Sequence, residues 1–342
     1  MEPIVYGLSN EQYHRGEEAR QYLSSSQLKW YLKSPRYAKF MLDALTYGDA
    51  KAVQNCKAVA DLIEGKSDAL RFGSLFHDLM ASYADHHDDE FAAIKQWEQG
   101  IAIFDPPVNK NTNKPYGVTS NPHKEAYVAF LQANEGKLIV SRDEADLACN
   151  MANSLLRDSG ATSEQVRKLL RWGKPEVSHF IEYEGLKFKW RPDLETPYKI
   201  TDYKTIASDD LSERTINAQI AKYGYDISAA HYLFFDHLQT GKWKRFYWIF
   251  VSKVPPHDAV MVDASKWTYG YDPKTDIVMP QVGAIKFKAL LDLHVQCSRK
   301  NEYPGSEIFI PKAGNGLRIM CPTPPPWEVS NAANLLEQSF NE

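Results

Sequence analysis

Gly185-Leu-Lys-Phe-Lys-Trp-Arg-Pro-Asp193-Leu-Glu-Thr-Pro-Tyr-Lys-Ile-Thr-Asp202-Tyr-Lys204-Thr205 reads as a β-hairpin carrying two carboxylates and an ammonium at one end. Side chains alternate along a strand, so Asp202 and Lys204 share one face and Tyr203 takes the other. If Glu195 pairs with Ile200 across the turn, Asp193 falls opposite Asp202 on that same face. Two hard oxygen donors then converge on one point, a set suited to Mg²⁺ or Mn²⁺. Lys204 is placed to offset the charge that builds on a phosphate under attack. An Asp…Asp-x-Lys spacing recurs by chance in many chains, so its meaning depends on the residues around it.

The chain has 342 residues, enough for one large domain or two small ones and for a substantial core. Its 43% apolar and 25% charged content is that of an ordinary globular protein. No apolar run is long enough for a membrane span, and the first residues lack a basic-then-apolar leader, so a cytoplasmic location without membrane contact is expected. A net charge of −4 argues against a chain coated in positive charge, but leaves room for a local basic groove. Cys56, Cys149, Cys297 and Cys321 are far apart in sequence. They form no Cys-x-x-Cys zinc pair and read as reduced structural thiols.

Ser24-Ser25-Ser26 before the periodic Leu28, Tyr31 and Leu32 reads as a capped helix closed by Ser34-Pro35. A second helix is expected over Arg71–His86, with Phe72, Leu75, Phe76, Leu79 and Met80 as its buried stripe and His77 beside it. The stretch Pro106–Pro122 reads as a long aperiodic loop. Helical patterns follow at 123–134, 142–158 and 163–170, then strands at 176–184, 186–193 and 198–205. Two helices at 209–222 and 225–239, strands at 245–252 and 259–263, and a helix at 281–299 complete the pattern. The tail carries a stiff Pro322-Thr-Pro-Pro-Pro-Trp327 segment and a short final helix. The expected fold is a single α/β domain over 1–342: a helical part to about 135, a catalytic core over about 136–263, and a C-terminal extension over about 264–342.

Three further features accompany the hairpin. Glu176 is placed at the start of the preceding strand as an accessory carboxylate. The neutral imidazole of His77 is a suitable metal ligand at a helix surface. Ser228 and Tyr232 lie one turn apart on the helix after the hairpin and can face a phosphate together. As groups that could bind phosphate, Ser25 and Ser26 at a helix N-terminus, Lys29 one turn on, and Arg71, Lys110, Lys114, Lys187, Lys189 and Arg191 are the candidates.

The ordered set Ser-Ser-Ser…Leu-Lys…Ser-Pro, Gly-Ser-Leu-Phe-His77, Glu176, Arg-Pro-Asp193, Asp202-Tyr-Lys204-Thr and Tyr225-x-x-x-Ala-Ala-x-Tyr232 resembles the RecE-type exonuclease (exonuclease VIII) family. That family belongs to the PD-(D/E)XK nuclease superfamily. The resemblance runs from about residue 5 to about residue 255. It implies a central mixed β-sheet flanked by helices with an α-rich N-terminal half. It implies Mg²⁺-dependent 5′ to 3′ degradation of linear double-stranded DNA, leaving 3′ single-stranded tails. It further implies a ring-shaped homo-oligomer and a single-strand annealing recombinase as partner, in phage or prophage recombination. By position, His77, Asp193 and Asp202 would be metal ligands, Lys204 would orient or activate the attacking water, and Glu176 and Tyr232 would be further catalytic positions. One departure stands out: Ser228 occupies the place of a family glutamine in Gln-x-x-x-Tyr. That substitution leaves room for a rival reading, a catalytically weak or inactive DNA-end-binding protein on the same fold. A single-strand-specific nuclease is the other.

Overall fold

A computed structural model describes residues 1–47, 68–272, 274–275 and 277–310. Cys56, Cys321, the Pro322–Trp327 segment and the expected final helix lie outside the described residues.

In chain order, strand β1 (Ile4–Val5) leads into helices α1 (Asn10–Arg15), α2 (Ser25–Leu28) and α3 (Pro35–Tyr47). Next come α4 (Asp68–Asp85), α5 (Glu90–Gly100) and β2 (Ile101–Ile103). The stretch read as an aperiodic loop holds a small antiparallel hairpin, β3 (Val108–Asn109) and β4 (Lys114–Pro115). Its turn is closed locally, because the Asn109 side chain accepts from the Asn111 N–H at 2.9 Å. Then follow α6 (Asn121–Ala133), β5 (Leu138–Val140), α7 (Arg142–Arg157) and α8 (Ala161–Trp172). The strand-rich part is β6 (Lys174–Pro175), β7 (Ser178–Tyr183), β8 (Leu186–Trp190), β9 (Leu194–Glu195) and β10 (Lys199–Ile206). Helices α9 (Glu213–Tyr223) and α10 (Tyr225–Thr240) lead to β11 (Arg245–Ser252) and β12 (Ala259–Asp263). The hairpin β13 (Tyr269–Asp272) and β14 (Ile277–Pro280) precedes α11 (Val282–Lys300).

The central sheet has the order β12-β11-β10-β9-β6 and is mixed. β10 and β11 are parallel, and the other pairs are antiparallel. Parallel neighbours need a crossover connection, which α9 and α10 provide. Gly224 lies between those two helices at φ 61°, a left-handed conformation that ends α9 and starts α10. Alternation divides the sheet's two faces. Ile200, Trp248 and Phe250 pack on α9 and α10. Tyr203, Ile249 and Val251 pack on a helical layer drawn mainly from α4, α5, α7 and α8. In α4 the stripe Phe72, Leu75, Phe76, Leu79, Met80 is buried as its spacing predicts. A second, antiparallel sheet, β1-β7-β8, packs on α10 and α11 through Phe188, Trp190, Phe235 and Phe287.

Two readings of the sequence change. The 185–205 run is not one continuous hairpin. Its first arm, β8, pairs with β7 in the second sheet, while only Leu194–Glu195 pairs with β10. The break falls at Arg191-Pro192-Asp193, where Pro192 has no N–H to extend a ladder. The helix after the serines is also shorter than expected. It passes into a 3₁₀ turn, Lys29–Leu32, and Leu32 is exposed while Leu28 and Tyr31 are buried. Ser34 both follows that turn and caps α3, accepting from the Tyr37 N–H at 3.0 Å.

Phe76 is fully buried and meets the Tyr203 ring edge-on at 6.2 Å, directly beneath the sheet residue that His77 contacts. Phe76→Ala should therefore cost about 3–5 kcal/mol, read as a lower urea midpoint at unchanged slope. A change under about 1 kcal/mol would mean that the α4–sheet contact is not a packed core.

Candidate metal centre

The break between the two sheets creates the site. At Glu195↔Ile200 and Leu194↔Thr201 the β9–β10 register is the one the sequence implies. One step further, the ladder is replaced by a side chain: Asp193 Oδ2 accepts the Tyr203 N–H at 2.6 Å. Asp193 is thereby fixed beside Asp202. The Asp193 carbonyl also accepts the Glu176 N–H at 3.3 Å. Glu176 is not at a strand start as expected. It sits between β6 and β7 at φ 49°, a left-handed turn that carries its side chain inward. Helix α4 brings His77 from the other side. Its Nε2 bonds the Tyr203 carbonyl at 2.9 Å, and its Nδ1 lies 3.3 Å from Asp193 Oδ1.

One donor atom each from His77, Glu176 and Asp193 lie within 4.8 Å of one another. Asp202 turns instead to Lys204, with Oδ2 2.5 Å from Nζ. This pairing confirms the shared face of the two side chains. The Lys204 ammonium also stands 5.0 Å from the centre of the Tyr225 ring. Tyr232 faces the acidic cluster from α10: burial pushes its hydroxyl well above the usual tyrosine range, helped by Tyr13 and by the charges of Asp202, Asp193 and Glu176.

The donor set fits a divalent cation: two carboxylates and an imidazole in one partly buried pocket, with a third carboxylate adjacent. A proton donated from Nε2 to the Tyr203 carbonyl leaves Nδ1 as the free lone pair, a usual way of orienting a ligating histidine. Without an ion, protons do part of the neutralising. Burial pulls the His77 imidazole down, but the Asp193 charge and hydrogen bond outweigh it and raise it to about 9. Burial raises Glu176 to about 7, against the opposing charge of Arg191. Burial opposes the ionised Asp193, yet His77, Lys204 and the Tyr203 N–H hold its carboxyl below the usual range. Asp202 is raised by burial and the Asp193 charge, with Lys204 opposing.

The other candidates divide. Lys29 comes close to the centre. Its Nζ donates to the Tyr223 carbonyl at 3.1 Å, and burial followed by the Lys204 charge pulls it down to about 8. Ser228 is half-buried on α10, one turn from Tyr232. Ser25 and Ser26 do not form a phosphate cradle. The α2 N-terminus is closed by a Ser24–Gln27 capping box, Ser25 is buried, and only Ser26 is exposed. Arg71 is engaged by Glu144 at 2.5 Å and by the Ile139 carbonyl. Lys189 is buried and donates to the Tyr13 and Ala19 carbonyls. Arg191 is also buried, 2.8 Å from Glu176. A strand that looks solvent-facing by alternation is covered here by the N-terminal segment, so Lys189 and Arg191 are not part of a basic track. Lys110, Lys114 and Lys187 remain exposed. The reading of the sequence missed Asn10, Tyr13 and Asp78, which surround Arg191 and His77. Nothing in their spacing points to this place.

A family model described as a PDDEXK-like domain of unknown function (DUF3799) matches residues 24–305, and the chain belongs to that family. The fold is accordingly of the PD-(D/E)XK nuclease class, with every residue of the centre inside the matched span. The chain is also similar to the crystal structure of a provisionally named exonuclease from Eubacterium rectale. Identity is 17%, coverage is 95% of this chain and 99% of that one, and the TM-score is 0.49. No curated protein matches. Among the described residues, no helix is long and apolar enough to cross a membrane.

The proton inventory has a measurable consequence. His77, raised from 6.5 to about 9, adds stability that is full below pH 6.5 and lost as pH rises through 9. Glu176, raised from 4.5 to about 7, favours its neutral form and also withdraws stability as pH rises, between 4.5 and 7. The metal-free protein should show a falling thermal midpoint from pH 6 to 9, and the gain in midpoint on adding Mn²⁺ should grow over the same range. A Mn²⁺ shift independent of pH would remove His77 and Glu176 from the ligand set.

Proposed function

We propose that this protein is a divalent-metal-dependent exodeoxyribonuclease of the RecE (exonuclease VIII) type. In this reading it degrades linear duplex DNA from 5′ ends and leaves 3′ single-stranded tails. The observation that carries the reading is the convergence of His77, Glu176 and Asp193 next to an Asp202–Lys204 pair on the neighbouring strand. His77, Glu176 and Asp193 would hold the ion, with Asp202 as the adjoining carboxylate. A divalent cation there supplies positive charge that polarises the scissile phosphodiester and acidifies water. Mg²⁺ is the proposed ion and Mn²⁺ its substitute, because the set is dominated by hard oxygen donors.

The chain's own groups do the rest. Lys204 keeps its proton: burial disfavours the ammonium, but Asp202 and Asp193 outweigh burial and raise it. It thus presents a fixed positive charge where charge accumulates on the phosphate, and a donor able to orient water. Tyr232 keeps its hydroxyl proton beside the carboxylates and can donate to a phosphate oxygen. Lys29 adds a second cation at the α10 side of the pocket. The same reading carries double-stranded DNA ends as substrate, a ring-shaped homo-oligomer, a single-strand annealing recombinase as partner and a place in the host cytosol.

The test is digestion of a linear duplex labelled separately at each 5′ end, with and without Mg²⁺, beside a closed circle. Mg²⁺-dependent loss of both 5′ labels with the circle intact is expected. Asp202→Ala should abolish cleavage while retaining DNA binding, and Lys204→Met should lower the rate by about 100- to 1000-fold. Binding of ends without cleavage under Mg²⁺ or Mn²⁺ would favour the end-binding protein that Ser228 suggests. Cutting of the circle would identify an endonuclease, and preference for unpaired DNA a single-strand nuclease.

A further inference from the structure

Arg191 joins the candidate metal centre to the start of the chain. Each of its three guanidinium nitrogens has a partner. Nε lies 2.8 Å from Glu176 Oε2, Nη1 donates to the Leu8 carbonyl at 3.2 Å, and Nη2 donates to Asn10 Oδ1. The Tyr13 ring covers one face of the group, 4.3 Å from its central carbon. Asn10 has a second bond: its Nδ2 donates to Asp78 Oδ1 at 3.2 Å. Asp78 directly follows His77 on α4. One exposed asparagine therefore ties together Arg191, the partner of Glu176, and Asp78, the neighbour of His77, which are 113 positions apart in sequence. Asn10 and Tyr13 lie outside the span 24–305 matched by the family.

Only an arginine suits this place. Its planar fork offers separate donors to a carboxylate, a carbonyl and an amide at once, whereas an ammonium is a single point of charge. Glu176 stands at a left-handed φ of 49° on the short connection between β6 and β7. Arg191 Nε lies 2.8 Å from one oxygen of that carboxylate, Oε2.

We propose that the segment Leu8–Tyr13 is a clamp that acts through Arg191 to hold Glu176 in position for a divalent cation, with Arg191 and Asn10 as positioning residues. This rests on the reading of His77, Glu176 and Asp193 as a metal centre. Groups that orient a ligand from behind typically change metal affinity by about 10- to 100-fold when removed.

The experiment is calorimetric titration of Mn²⁺ into the full chain without DNA, for wild type, Asn10→Ala and Arg191→Lys, each with its metal-free thermal midpoint. Asn10 is exposed, so Asn10→Ala should fold with an almost unchanged midpoint yet bind Mn²⁺ about tenfold more weakly. Arg191→Lys conserves charge but not the fork, and should weaken binding by about 10- to 100-fold. A clamp that merely supports the fold would shift midpoints and leave the dissociation constants alone. Wild-type binding with both variants equally tight would overturn the clamp while sparing the metal centre. A wild type that binds no Mn²⁺ would overturn both.

Discussion

The hydrogen bond from the Tyr203 N–H to Asp193 Oδ2 organises the candidate metal centre of this protein. It takes the place of the next rung of the β9–β10 ladder. Pro192 has no N–H to return to the Tyr203 carbonyl, and His77 Nε2 bonds that carbonyl instead at 2.9 Å. With the carboxylate anchored on the backbone of β10, Asp193 is aligned with Asp202. The opposite side of the same strand carries the Tyr203 ring into the helical core, where Phe76 and His77 meet it. A single departure from regular pairing thus sets the distances among residues from α4, the β6–β7 connection and β10.

The cluster is a balance of charges. Glu176, Asp193 and Asp202 crowd a volume from which water is partly withdrawn, and His77, Arg191 and Lys204 are distributed among them, one to each carboxylate. Burying carboxylates without such partners would be prohibitively costly. The arrangement is also uneven in kind. Arg191 cannot give up its proton and stays a fixed charge beside Glu176, whereas His77 can surrender its proton and become a ligand. A divalent cation in the pocket would therefore compete with the protons of His77 and Glu176 and not with that of the arginine.

Much of this was legible in the sequence wherever a short-range rule applied. Two-residue periodicity put Asp202 and Lys204 on one face, and turn counting paired Glu195 with Ile200. The helical stripe of α4 placed His77 at the border of a buried face. What escaped depended on contacts between distant segments. Alternation along 186–191 left Lys189 and Arg191 free to face solvent, but the first twenty residues cover them. The inward turn at Glu176 needs a positive φ that glutamate rarely adopts, so no propensity rule anticipates it. The Ser24 cap was recognised as a cap, yet its helix is too short to offer an anion site once Gln27 has closed it.

Parallel pairing of β10 with β11 has a consequence for how the protein comes into being. The Asp202–Lys204 strand acquires its parallel neighbour only when residues 245–252 have been made, and Arg191 meets Asn10 across a separation of 181 residues. Contacts of this range are the slow ones in folding. A chain emerging from the ribosome therefore carries its acidic residues as scattered, solvated groups until most of the domain has been synthesised. The strand that anchors the centre is paired on both sides only after the last of the central segments has docked.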